Sequence, residues 1–180
     1  DNAILSVTDS VGNIWKQRGE WQKGSTGAGT GVIVSVWTTI ATTNLTTGGT
    51  ITVHFFDDGV GPTAKAATGW EFTVTGGSAL HVAGYATKAE NAEPTNMTLS
   101  GLTSYPYLWI RAVGQENATT SWTSSTNYTT FTHTTSTTSG GVTATNIGAR
   151  GEFRIFTGTT DSTNPTGVAA DNASIYLAIQ

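Results

Sequence analysis

The sequence predicts an all-β fold, an antiparallel β-sandwich of jelly-roll type formed by residues 1–180 as a single domain. Three observations predict it. About one residue in five is Thr, whose branched Cβ fits a pleated strand better than a helix. Clusters of Gly, Asp, Asn and Pro recur about every ten residues, the rhythm of a sandwich or barrel. No segment shows the apolar spacing of a convincing helix.

Ala3–Thr8 is a short apolar run closed by the turn-rich Asp9-Ser10-Val11-Gly12-Asn13. Ile14–Trp21 reads as a strand bent at Gly19. A Gly/Ser/Thr loop, Gly24–Gly31, then opens Val32–Ile40, a strand too continuously apolar to be exposed on both faces. Gly48-Gly49 turns the chain into Thr50–Phe56, with Ile51, Val53 and Phe55 on one face and Thr52, His54 and Phe56 on the other. After the turn at Asp57-Asp58-Gly59, Ala66–Thr75 and Ala79–Thr87 read as a hairpin around Gly76-Gly77. Lys88–Asn96 is the most polar stretch and the one place where a helical turn fits. Tyr107–Gly114 sets Leu108, Ile110 and Ala112 against Trp109, Arg111 and Val113. Ala149–Thr157 and Ser174–Gln180 complete nine or ten strands, the last with Ile175, Leu177 and Ile179 as an inward stripe.

At 180 residues the chain is long enough to bury a hydrophobic core. Charged residues make up 11%, well under the usual roughly 25%. A net charge of −4 with eight Lys and Arg leaves no basic patch for a phosphate backbone, so nucleic acid is excluded as a partner. No apolar run approaches the roughly 20 residues of a membrane helix. With no Cys, there are no disulfides, thiolate metal sites or cysteine nucleophiles. The chain opens on Asp1 without a signal-peptide pattern, which leaves either processing upstream or a longer parent sequence.

The candidate constellations point away from chemistry. Gly27, Gly29 and Gly31 open a strand rather than a helix, so they lack the amide array that binds phosphate. His54, His81 and His133 have no ligand-type neighbour at metal spacing. Asp57-Asp58 and Asp161–Asn164 offer oxygens, but neither matches an EF-hand loop. Among the carboxylates on or beside strong strands, Glu71, Glu116 and Glu152, a glycosidase pair would need a defined separation across a cleft. Glu152 lies between Arg150 and Arg154 at the two-residue spacing that shares a face, and reads as part of an ion-paired row on the sheet surface. The expectation is a protein that is not an enzyme, with no catalytic residue, no cofactor and no metal.

Residues Asn117–Ala149 contain no Asp, Glu, Lys or Arg. Trp122, Tyr128 and Phe131 stand there in a field of Thr, Ser and Gly. Interface cores are depleted in charge and enriched in aromatics, so these three are the candidate interface residues. The partners expected are other copies of the chain, a trimer among the possible homo-oligomers.

A resemblance runs through four segments. Ser6–Trp15 contains an Asp-Ser-x-Gly-Asn turn, and Gly31–Trp37 is an apolar strand ending in Trp. Leu45–Phe55 carries Gly-x-Thr-Ile-Thr-Val, and Ala64–Phe72 ends in Glu-Phe. Together they resemble the opening of jelly-roll modules in bacteriophage virion proteins and some bacterial surface proteins. Tyr107–Glu116 and Asn146–Thr157 are similar to the closing part of such virion proteins. The chain departs from the pattern at Gly48-Gly49-Thr50, where an acidic residue often comes after the glycine. The resemblance implies a capsid decoration (cement) or tail-fibre component, located on the virion and bound to a capsid or tail protein. It brings no catalytic residues. The alternative is a carbohydrate-binding module or adhesin tip, secreted or on a cell surface, in which exposed Trp or Tyr stack on sugar rings.

Overall fold

The structure is a computed structural model that describes residues 4–24, 31–56, 64–73, 79–116, 121–137 and 146–180. Among the described residues there is no helix, as the sequence predicts. The centre is a six-stranded antiparallel sheet in the order β5 (Val82–Glu90), β12 (Asn172–Ile179), β7 (Tyr105–Gln115), β10 (Asn146–Gly158) and β8 (Thr129–Thr130), with β9 (Thr134–Thr137) also on β10. Three two-stranded antiparallel pairs complete the fold: β1 (Ile4–Asp9) with β4 (Ile51–Phe55), β2 (Lys16–Gly24) with β3 (Gly31–Thr38), and β6 (Met97–Leu99) with β11 (Asp161–Thr163). The chain is an all-β protein of packed antiparallel sheets.

Side chains alternate across a strand, so each face of the central sheet can be traced separately. One face is aliphatic. Ile175, Leu177 and Ile179 of β12 join Ile110 of β7, and Val34 and Val36 of β3 pack on them with Leu108 and Phe153. Burying each such aliphatic side chain contributes roughly 1.5–3 kcal/mol. Gly114 admits β3 here, because a Cβ on it would lie 2.9 Å from a Val32 methyl. The opposite face packs Tyr107, Trp109, Tyr176 and Ala178 against Met97 and Leu99 of β6. Every residue of β12 is buried, so Ile175, Leu177 and Ile179 are one of two inward stripes.

The Asp-Ser-x-Gly-Asn turn has a physical explanation. The Asp9 carboxylate accepts hydrogen bonds from Val11 N (3.1 Å), Asn13 N (3.0 Å), Asn13 Nδ2 (3.0 Å) and Trp15 Nε1 (2.9 Å). Gly12 takes φ +80°, which side-chain-bearing residues rarely adopt. Asn13 Oδ1 in turn accepts from Thr42 N (2.9 Å) and Thr43 N (3.0 Å), tying the turn to the bend that follows β3.

Several elements differ from the sequence reading. Residues 64–73 form no strand; Trp70 and Phe72 are held instead by ring contacts with Phe153, at 5.3 and 4.8 Å. The expected hairpin around Gly76-Gly77 is not formed by β5, which pairs with β12; those glycines lie outside the described residues. Lys88–Glu90 completes β5, and the polar stretch after it is a bend rather than a helical turn. Glu90 holds that bend by accepting from Thr95 N (2.9 Å) and Thr95 Oγ1 (2.6 Å). The strands β6 and β11, three residues each, are too short to show a period and are not expected from the sequence.

Candidate functional site

Three places are candidates: a charged layer inside the sandwich, an open groove beside β5, and the three aromatics of residues 117–149. The charged layer lies on the aromatic face of the central sheet. Register pairs Glu152 of β10 with Arg111 of β7, and Arg111 with Tyr176 of β12, so all three share that face. Glu152, Arg111 and Tyr176 are fully buried. Glu152 Oε2 accepts from Ser125 N (2.7 Å), and Oε1 accepts from Ser125 Oγ (2.6 Å) and from Thr163 Oγ1. Arg111 donates from Nη1 to Thr95 O (2.8 Å) and Thr163 O (3.3 Å), and from Nη2 to Ser174 Oγ (3.1 Å). Burial pulls its pKa down to about 10, against the opposing pull of Glu152 and Glu90, so it stays charged at neutral pH.

A second knot adjoins the first. Tyr128 Oη donates to Asp161 Oδ2 (2.7 Å) and lies 2.6 Å from Tyr176 Oη. Because Tyr128 has one hydroxyl proton, Tyr176 donates to it. Arg154 Nε donates to the same Asp161 oxygen (2.6 Å), and its guanidinium forms an ion pair with Asp161. Burial pushes the Tyr128 phenol up, and the Tyr176 phenol further up, with the bond to Tyr128 adding to it. Ser162 N donates to Asp161 Oδ1 (2.8 Å), so Asp161 sits under three donor groups, the Tyr128 hydroxyl, the Arg154 guanidinium and this amide.

The row Arg150, Glu152, Arg154 thus shares a face as expected, but the expected surface position is wrong. Glu152 and Arg150 are buried, and Arg154 pairs with Asp161 rather than with Glu152. The cause is a cover that sequence reading missed: β11, Thr95 and the Ser125–Tyr128 turn close over this end of the sheet. Asn127 permits that turn by adopting φ 67°, a conformation Asn tolerates well. A trace existed in the sequence, since alternation along β7 put Arg111 between Trp109 and Val113. Chemically, a fully buried carboxylate holding three hydrogen bonds cross-links the layers around it. Glu116 lies at the far end of β7, roughly 17 Å along the strand at about 3.4 Å per residue, and Glu71 is exposed outside the strands.

The groove is lined by Gln17, Arg18, Gly19, Glu20, Val82 and Tyr85, with a volume of about 370 Å³. The bend read at Gly19 is a β-bulge between Gln17 and Gly19. It lets the Tyr85 ring lie against the backbone, where a Cβ on Gly19 would come within 2.6 Å of it. Tyr85 keeps 45% of its surface exposed, and Trp21 is exposed further along β2. Gln17 donates to Glu20 Oε2 (3.2 Å) and Ser35 Oγ (3.1 Å), and Arg18 Nε donates to Thr38 Oγ1 (2.7 Å). Burial raises the Glu20 pKa.

The three expected interface aromatics do not form one surface. Tyr128 is buried in the knot just described. Phe131 stacks on Phe153 at 5.2 Å and tilts against Trp70 at 5.7 Å. Half-buried Trp122 lies under the Arg150 guanidinium at 6.0 Å. Each already packs against its own chain. Exposed large apolar side chains lie elsewhere: Ile155 (69%), Tyr105 (49%) and Phe156 (41%) at the end of the central sheet, and Ile14 (77%), Leu5 (56%) and Ile51 (51%) on and beside β1 and β4. Comparison with known proteins yields no relative: no family model, no curated protein and no solved structure matches the chain.

Proposed function

We propose that the chain is a non-catalytic structural module that acts through protein–protein contact. The particular form proposed is a virion component of jelly-roll type, a capsid decoration or tail-fibre protein bound to a capsid or tail protein. One observation carries the contact reading: the charged groups of β7 and β10 are engaged inside the fold, whereas the end of the sheet exposes Ile155, Phe156 and Tyr105. Phe156 and Tyr105 lie on one face and Ile155 on the other, so the exposed apolar surface wraps this edge, and exposed apolar surface marks interaction sites. The virion assignment rests on the resemblance of Ser6–Trp15, Gly31–Trp37, Leu45–Phe55 and Ala64–Phe72 to phage modules. Quantitative mass spectrometry of purified particles tests it. A fixed, stoichiometric copy number per particle is expected; a chain found free or only on cells would overturn it.

A second reading, glycan binding by a secreted or surface module, is favoured by the groove. Tyr85 offers a half-exposed ring beside Gln17, Arg18 and Glu20, the pairing of stacking face and planar polar groups that sugars need. A glycan array decides it, with Tyr85→Ala expected to abolish any specific signal.

A further inference from the structure

The outer flank of β10 is only partly covered. β9 pairs with Asn146–Ala149 and β8 with Glu152 and Phe153, while no described strand pairs with that flank at Arg154–Gly158. Ile155, Phe156 and Thr157 are all exposed. Which backbone groups face outward is set by alternation along an antiparallel strand. Gly151 O accepts from Phe131 N (2.8 Å), so Gly151, Phe153, Ile155 and Thr157 present their N–H and C=O groups away from β7. Two further facts agree. Thr157 lies opposite Pro106, which has no N–H to give, and Phe156 O is bonded inward by Trp109 Nε1 (3.0 Å).

We propose that two copies of this chain pair antiparallel along this edge, about a two-fold axis at Phe156, and continue the central sheet from one copy into the other. The inference deepens the assembly reading above and rests on it for its purpose. The register is dictated by which groups are free. Centring on Phe156 sets Ile155 opposite the second copy's Thr157, and the reverse, so both outward pairs are satisfied. Centring on Ile155 would need Phe153, which is already bridged to Thr129. Centring on Thr157 would need Thr159, which lies past the strand and whose carbonyl accepts from Leu102 N (3.1 Å).

The edge is also self-complementary in charge. Ile155–Thr160 carries no ionisable side chain, and the flanking Arg154 and Asp161 pair with each other, so like charges do not meet across the axis. Phe156 would face its own copy on one side of the sheet, and Ile155 would face Thr157 on the other. The opposite edge of the sheet, β5, carries the Lys88–Glu90 ion pair (3.1 Å), the charged side chains that usually guard an edge. A homodimer with two-fold symmetry is the commonest closed assembly. Five residues fall short of the roughly 800 Å² per partner of a stable interface, so the pairing belongs to crowded copies rather than dilute solution.

Because the chain has no Cys, a single introduced thiol reports the axis cleanly. Residues facing each other as a non-hydrogen-bonded antiparallel pair have Cα atoms about 4.5 Å apart, within the disulfide range of roughly 4.4–6.8 Å. At about 1 mM, the order of an effective concentration between tethered partners, Phe156→Cys should form a disulfide dimer many-fold faster than Thr160→Cys. In the unaltered chain, hydrogen exchange at the Ile155 and Thr157 amides should slow as concentration rises, while Phe156 stays protected throughout. Thr157→Pro, which removes an outward donor, should abolish that concentration dependence. Equal cross-linking of the two cysteine variants overturns the self-pairing, as does exchange at Ile155 and Thr157 that ignores concentration. Failure of this test alongside a stoichiometric copy number on particles would remove the dimer and leave the assembly reading standing.

Discussion

The two faces of the central sheet are stabilised by different physics. On one, Ile110, Ile175, Leu177 and Ile179 meet Val34 and Val36 with no polar atom among their side chains. On the other, β7, β10 and β12 present Arg111, Glu152, Ser174 and Tyr176, all fully buried, and hydrogen bonds decide the packing. Aliphatic packing is non-directional and tolerates side chains of similar volume. A buried charged layer demands every partner in place, because one missing donor exposes the desolvation cost of the group it served. β11 and the Ser125–Tyr128 turn have little apolar surface of their own. They are held down by Thr163, Ser125 and Tyr128 reaching the polar face.

The largest effect should come from removing a charge from that layer. Arg111→Met keeps the length and the apolar stem but leaves Glu152 buried without its cross-strand cation, and leaves Thr95 O without its guanidinium donor. A loss of about 3–5 kcal/mol is expected in urea unfolding. If the loss is less than half of that, the polar face is no more demanding than the aliphatic one and the contrast collapses.

Tyr128→Phe comes next. It removes one hydroxyl from between Asp161 and Tyr176 without changing the ring, and a loss of about 1–3 kcal/mol is expected for the buried partners left unmade. The matching change on the other face, Leu177→Met, conserves volume and should cost less than about 1.5 kcal/mol. Thermal or urea unfolding of the two variants side by side ranks the faces directly. A larger loss at Leu177 than at Tyr128 would reverse the comparison.

The contrast also explains what can be read from the sequence. Period-two alternation locates β4, β7, β10 and β12, apolar runs locate β1 and β3, and the stripe of Ile175, Leu177 and Ile179 correctly marks the aliphatic face. Gly19 gives away its bulge. The polar face is harder to see, because Glu152, Arg154 and Arg111 look like surface residues until a cover is placed over them. That cover is made of β11, Thr95 and the Ser125–Tyr128 turn, and β11 at three residues is too short to show a period. Trp122, Tyr128 and Phe131 read as partner-facing for a related reason. In a stretch without charge, a ring turned to a neighbour reads like one turned inward; Tyr128 is buried against Asp161, distant in the chain, while Trp122 and Phe131 remain partly exposed. The Ala66–Thr75 segment reads as a strand from its apolar content, whereas its rings pack without a paired neighbour.

The smallest expected effect concerns Asp9, a carboxylate saturated by hydrogen bonds as Glu152 is, but in a turn at the edge of the molecule. Desolvation works to raise its pKa, yet the bonds from Trp15, Asn13 and Val11 outweigh it and lower the value from the ordinary 3.8 to about 2. A depressed carboxylate stabilises the folded turn fully above 3.8, and that contribution is lost as pH falls through about 2. Acid should therefore loosen the Asp9–Trp15 turn locally while the six-stranded sheet persists. The Trp15 indole N–H, which donates to Asp9 Oδ2 at 2.9 Å, is the reporter. Its proton resonance should shift through that pH range in the parent chain and stay flat in Asp9→Asn, which keeps the shape of the side chain without a titrating charge. A resonance that ignores pH in the parent, or still titrates there in the Asn variant, would show that Asp9 does not hold the turn by its charge. The environment, rather than the number of hydrogen bonds, should set the cost: water can take over the partners Asp9 loses, and nothing can replace those lost inside the sheet.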